Sequence, residues 1–189
     1  IQIYDDSFII VGSRDRYTNG SMNSLIIKVD SNGNQIWEKE FLSEDQISEV
    51  SYSISNSSTG SFYICNSINT LEKSDIFSPK VIKMDSFGNV EWQRTFSSDA
   101  SEYHQYRATK TQLGNLIIVG SSQFKTSMGL KSDAFMMKID SKGEIIWTKP
   151  YGTADHDDWG WAVYEKPDGR IIMTGSTKSF NSSLFDVLL

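Results

Sequence analysis

The chain reads as an all-β protein assembled from repeats of four short antiparallel strands, and three observations carry that reading. The stretch from Ile27 through Lys28, Asp30 and Gly33 to Trp37 returns at Ile82 to Trp92 and again at Met137 to Trp147, so that Lys, Asp, Ser, Gly and Trp recur at intervals of about 55 residues. Within each repeat, short runs rich in Val, Ile, Phe and Tyr are punctuated by Gly, Asn, Asp and Ser, the chemistry of strands and tight turns. No helical period shows anywhere along the 189 residues. Four antiparallel strands per repeat, joined by short turns, describe the blade of a β-propeller. The expected organisation is one propeller segment over residues 1–189, about three and a half blades, divided as 1–41, 42–96, 97–151 and a partial blade at 152–189.

The first repeat opens with the alternating fragment Ile1 to Tyr4, turns at Asp5 to Ser7, and continues in the β-branched run Phe8 to Val11, closed by Gly12. A polar loop through Arg14 to Asn23 leads to a third strand at Leu25 to Val29. Asp30 to Asn34 is a hairpin turn, because Asn and Gly tolerate the positive φ that turns between twisted strands demand. The returning strand is Gln35 to Phe41. In the second repeat the expected strands are Val50 to Ile54, Phe62 to Cys65, Lys80 to Met84 and Asn89 to Phe96. The third repeat offers Tyr106 to Lys110, Leu116 to Val119, Ala134 to Ile139 and Glu144 to Tyr151. The fourth passes through Trp161 to Glu165 and Ile171 to Thr174, and ends inside its third strand. Gly12, Gly120 and Gly175 close the second strand of three repeats, and Asn66 stands there in the other. The first residue is Ile and the last residues run into an apolar pattern, so the chain is expected to be a segment of a longer array.

Side chains alternate along a strand, which puts Trp37, Lys39 and Phe41 on one face, as it does Trp92, Arg94 and Phe96, and Trp147, Lys149 and Tyr151. A large aromatic at a fixed place in each blade is expected to pack between neighbouring blades, with the adjacent basic residue laying its stem over apolar surface. Asp30 with Gly33, Asp85 with Gly88, and Asp140 with Gly143 resemble calcium loops superficially. Phe87 and Lys142 occupy places where oxygen ligands are needed, however, and the Asp is expected to bond its own turn.

Bulk properties exclude several classes. A net charge of −6 and a pI near 4.9 argue against a phosphate-binding surface, so nucleic acid is not an expected partner. Cys65 is the only cysteine, which rules out an intrachain disulfide and a zinc site built on Cys. No apolar run reaches the roughly 20 residues of a transmembrane helix. There is no Gly-rich phosphate loop, and no Ser/His/Asp or Cys/His nucleophilic set can be assembled.

The repeats resemble those of secreted and surface-exposed bacterial propeller proteins, in which Lys-x-Asp-x-x-Gly is followed by Trp-x-Lys-x-Tyr or Phe, an acidic loop, a strand and an Asp-Gly turn. The closest local match is Lys138 to Asp158 followed by Trp161 to Ser176, with Lys166-Pro167-Asp168-Gly169 as the turn. That resemblance implies an extracellular or cell-surface setting and no particular reaction. A Gly four residues before a Trp also resembles the tryptophan-docking blades of quinoprotein dehydrogenases. Their quinone and metal site, typically with paired cysteines, is not carried over to a chain whose sole cysteine is Cys65.

In a propeller, the loops entering each blade emerge on one rim. Here they read Ser43 to Glu49, Ser98 to His104, and Thr153 to Trp161, each of them acidic. The candidate ligand-binding residues are Glu102, Tyr103 and His104 in one loop, with Asp155, His156, Asp157, Asp158, Trp159 and Trp161 in another. Three readings stand open for the second group: a solvated acidic loop whose Asp residues cap turns, a Ca²⁺ site built on carboxylate oxygens, and a glycan site on Trp159 or Trp161. The expected function is a non-catalytic binding or scaffold module, recognising protein or glycan. The alternative is an extracellular enzyme acting on polysaccharide, with catalytic residues on this loop face or in further blades. Further blades of a longer chain, or a second copy, are expected to complete the ring.

Overall fold

A computed structural model describes residues 2–4, 6–15, 22–41, 48–57, 60–70, 73–96, 103–127, 129–153, 155–179 and 186–188. Among these residues the fold is all-β and every strand pairing is antiparallel. The first sheet holds β1 (Gln2–Tyr4), β2 (Ser7–Asp15), β3 (Met22–Val29) and β4 (Gln35–Phe41) in sequence order. The second holds β5 (Ser48–Asn56), β6 (Phe62–Thr70), β7 (Lys73–Met84) and β8 (Val90–Thr95). The third runs β9 (Tyr103–Lys110), β10 (Leu116–Thr126), β11 (Gly129–Ile139) and β12 (Ile145–Tyr151). The fourth has β13 (Asp158–Glu165), β14 (Ile171–Thr177) and β15 (Asp186–Leu188).

The strands expected from sequence are present, and the inner ones are longer than their apolar cores. β2 and β10 continue through Gly12 and Gly120, which pair with Leu25 and Phe135 and do not end the strands. The ladder of β10 and β11 extends to Thr126 and Gly129. Backbone hydrogen bonds hold those outer rungs, so polar Ser, Gln and Lys serve there and leave no apolar alternation to detect.

The turns explain the repeated Asp and Gly. Asp30 accepts the amide N–H groups of Asn32 and Asn34 at 2.9 and 2.8 Å, and Asp85 does the same with Phe87 and Asn89. Asp140 accepts from Lys142 and Glu144, both at 2.8 Å. Gly33, Gly88 and Gly143 close these turns at φ of 84°, 85° and 81°, where a Cβ is strained. The turn-bound Asp30 carboxyl is held below the usual aspartate range, first by the side-chain amide of Asn34 and then by backbone donors. At Asp85 burial works the other way, yet the bonds from Asn89, Phe87 and Gly88 outweigh it and the carboxyl is again lowered.

The chain forms two compact units, Ile1–Phe96 and Ser97–Leu189, divided along the sequence where the second repeat gives way to the third. In the first unit, Ile9 and Ile26 of one sheet meet Phe62, Ile64, Ile82 and Met84 of the next, with Val11, Trp37, Phe41 and Ile54 at the margin. In the second, Ile117, Val119, Ala134 and Met136 meet Met173, with Trp147, Val163 and Ile171 against them. Each fully buried aliphatic chain contributes about 1.5–3 kcal/mol, so sheet-on-sheet stacking is the main stabilising event in each unit. The repeated tryptophans take the packing role. Trp37 and Trp147 lie against these cores, and Trp92 tilts against Tyr63 with ring centroids 6.0 Å apart. Lys149 Nζ sits 5.7 Å from the centre of the Trp147 ring.

Candidate functional site

The segment from Thr153 to Trp161 is the acidic stretch that the structure describes best, and it divides in two. Asp155 and His156 are exposed in a turn closed by the His156 N–H on the Thr153 carbonyl at 3.1 Å. The Thr153 hydroxyl lies 3.1 Å from His156 Nδ1 and 2.8 Å from the Ser179 hydroxyl. Asp157 accepts the Ser132 N–H at 3.1 Å and faces Lys131 and Lys178 at 3.7 and 4.0 Å. These contacts occupy it as a structural anion between β11 and the end of β14.

Asp158 goes the other way. It opens β13, is fully buried, and accepts from the Thr177 and Ser179 hydroxyls, the latter at 2.7 Å. β14 supplies Thr177, and Ser179 lies two residues beyond it, so a carboxylate in a run that reads as loop is drawn into the interior by partners about 20 residues further on. Trp159 is half-buried, while Trp161 is 46% exposed and donates its indole N–H to the Ser176 hydroxyl at 2.9 Å. The loop expected to reach Trp161 therefore ends at Asp157, and Asp158, Trp159 and Trp161 belong to a strand.

The six candidates in this segment do not converge on one point. Among the described residues, no group of three or more His, Cys, Asp or Glu side chains is gathered to hold a metal ion. Glu102 lies outside the described residues, as do 43–47 and 98–101 of the other two acidic loops. Tyr103 and His104 are placed as β9 backbone, paired with Ser122 and Ser121.

Three features escaped the reading of the sequence. An aromatic residue occupies the bulge in the entering strand of three sheets, at Tyr52, Tyr106 and Trp161, where the ladder register shifts. Beside Trp161, the outward face of the fourth sheet carries Tyr164 and Ile172, 58% and 41% exposed and directly opposite each other across the strands. Asp133 of β11 comes up against Asp158: a Cβ built on Gly152 would overlap a carboxylate oxygen of each. Superposing the repeats on the turn aspartates puts Asp133 in register with Asn23 and Ser78, so its signal was a charge at a place that is neutral in the other two. Burial, and then the charge of Asp158, push the Asp133 carboxyl above the usual aspartate range.

No protein-family model matches the chain, and no curated protein is significantly similar to it.

Proposed function

We propose that the chain forms about three and a half blades of a β-propeller acting as a non-catalytic recognition scaffold in a secreted or cell-surface protein. Its recognition surface is the open face of the fourth sheet. The observation that carries this reading is a difference between equivalent rungs: Ile9 and Ile117 are fully buried, whereas Ile172 is 41% exposed beside Tyr164 and Trp161. Ile9 and Ile117 lie in cores shared with the adjoining sheet of their own unit. A face of the same kind left open, apolar with an aromatic border, suits an apolar protein surface such as another sheet of this repeat. The extracellular setting rests on the likeness of the repeats to surface-exposed bacterial propellers.

The polysaccharide-hydrolase reading needs two carboxyl groups that a substrate reaches. Asp133 and Asp158 do approach each other, but Asp158 is wholly buried and its oxygens are taken by Thr177 and Ser179, which speaks against that role. Sedimentation velocity over a range of concentrations tests the proposal. The chain is expected to self-associate as concentration rises, and Ile172→Lys or Tyr164→Lys is expected to abolish it. A monomer at every concentration, with oligosaccharide binding that Trp161→Ala removes, would make the ligand a glycan. A monomer that binds neither would sink the recognition reading.

A further inference from the structure

The carboxyl groups of Asp133 and Asp158 present an unbalanced charge inside the second unit. Asp158 is fully buried. Oδ1 of Asp133 is shielded from solvent and has no hydrogen-bond partner, although it lies beside an acceptor, Oδ2 of Asp158, over Gly152. Two ionised carboxylates in that position repel each other and leave a buried acceptor unsatisfied. The charged groups described nearby do not relieve them. Lys131 on β11 and Lys178 after β14 face Asp157, and His156 is turned to Thr153.

The first unit holds the same junction in a balanced form. Glu49 lies three residues before the bulged aromatic of its strand, as Asp158 does, and Asn23 lies seven residues before its turn aspartate, as Asp133 does. There the carboxylate meets Lys80 at 2.9 Å and the side-chain amide of Asn66, while Asn23 donates to Glu40 at 3.0 Å. In the second unit the rung of Lys80, which pairs with Asn66, is matched by Leu188, which pairs with Gly175, and the place of Asn23 is taken by Asp133.

We propose that Asp133 holds a proton and donates it in a hydrogen bond to Asp158, so that the join between the third and fourth sheets is tight while the proton stays and loosens when it leaves. Protonation turns the orphaned oxygen of Asp133 into a donor and removes one of the two charges, which answers both faults at once. The direction of the pH effect follows from linkage. The folded state favours the neutral form of Asp133, so the stabilisation is complete below the ordinary aspartate range near about 4 and is lost as pH rises through the higher value in the fold. The join is therefore an acid-tightened contact in an acidic protein.

The test is thermal unfolding of the chain and of Asp133→Asn between about pH 5 and about pH 8. In the wild type the midpoint is expected to fall as pH rises. In Asp133→Asn, where the amide copies Asn23, that fall is expected to vanish, leaving the variant a few degrees more stable at the upper end. An unchanged slope in the variant would overturn the proposal. So would a rise in the wild-type midpoint on adding CaCl₂ that Asp133→Asn lacks, since the pair would then be holding a cation. Should the variant fail to fold, carboxyl ¹³C NMR of the wild type decides: one aspartate titrating above the others supports the shared proton, and all of them titrating in the ordinary range refutes it.

Discussion

Glu49 in the first unit and Asp158 in the second start equivalent strands, and both are buried, but they are accommodated by different chemistry. Glu49 is neutralised by Lys80 on β7, whose ammonium also lies 5.8 Å from the centre of the Phe41 ring. Asp158 is held by the hydroxyls of Thr177 and Ser179 and by the Ser179 N–H, with Leu188 at the rung where the lysine would be and a second carboxyl beside it. A repeat thus preserves the place of a buried anion while its compensation is open to change. One solution is a fixed ion pair. The other depends on protons.

The largest effect that can break this comparison is at Lys80. Lys80→Met strands Glu49 without its cation and is expected to cost about 3–5 kcal/mol in urea unfolding, whereas adding Glu49→Gln to it should recover most of the loss. A small loss in the single variant would mean that Asn66 suffices for Glu49, and the two junctions would be alike.

Next come the glycines that share one rung of the second strand. A Cβ on Gly175 would run into the backbone carbonyl of Trp159, so Gly175→Ala is expected to cost about 1–3 kcal/mol. Nothing lies within 4 Å of a Cβ on Gly12, and Gly12→Ala should change stability by less than about 0.5 kcal/mol. Denaturant midpoints of the pair show whether tightness at this rung belongs to the second unit alone.

The turn glycines sharpen the contrast further. Gly33 and Gly88 share a positive φ, and nothing lies within 4 Å of a Cβ on Gly33, so each Ala variant carries backbone strain of about 1 kcal/mol. Gly88 also faces Lys39 Cε at 3.1 Å and the Trp37 ring at 3.4 Å, and its variant should be the more destabilised on calorimetry.

The smallest effect is at low pH. Asp30 and Asp85 are lowered in the fold, so the stability they lend the first unit is present above the ordinary aspartate range and is lost as pH falls through their folded values. The double variant Asp30→Asn, Asp85→Asn should flatten the acid limb of the unfolding curve. This sign is opposite to that expected of Asp133, and an acid limb that survives the double variant would remove the contrast.

Much of the local structure was legible in the residues. The Asp-x-x-Gly turns, the hairpins they close and the packing tryptophans follow from interactions spanning a few positions, which repeat wherever the sequence repeats. The candidate site was legible only as a concentration of acid. Asp155, His156, Asp157 and Asp158 are neighbours in sequence and look alike there, yet the first two are exposed, the third is tied to Lys131 and Lys178, and the fourth is buried. The start of β13 separates Asp157, the last loop residue, from Asp158, and what each then meets comes from β11 and from the end of β14. The outer rungs of β10 and β11 were missed for a related reason: paired backbone holds them, and backbone pairing leaves no trace in side-chain polarity.

The sequence by itself determined the four-strand repeat, the turn chemistry at Asp30, Asp85 and Asp140, and the choice of Trp37, Trp92 and Trp147 as packing residues, because each rests on hydrogen bonds or alternation within a few residues. The tertiary structure decided which carboxylates are buried and what compensates them. Those outcomes depend on strands distant in sequence, where Lys80 brings a cation to Glu49 while the equivalent rung in the sheet of Asp158 carries the uncharged Leu188.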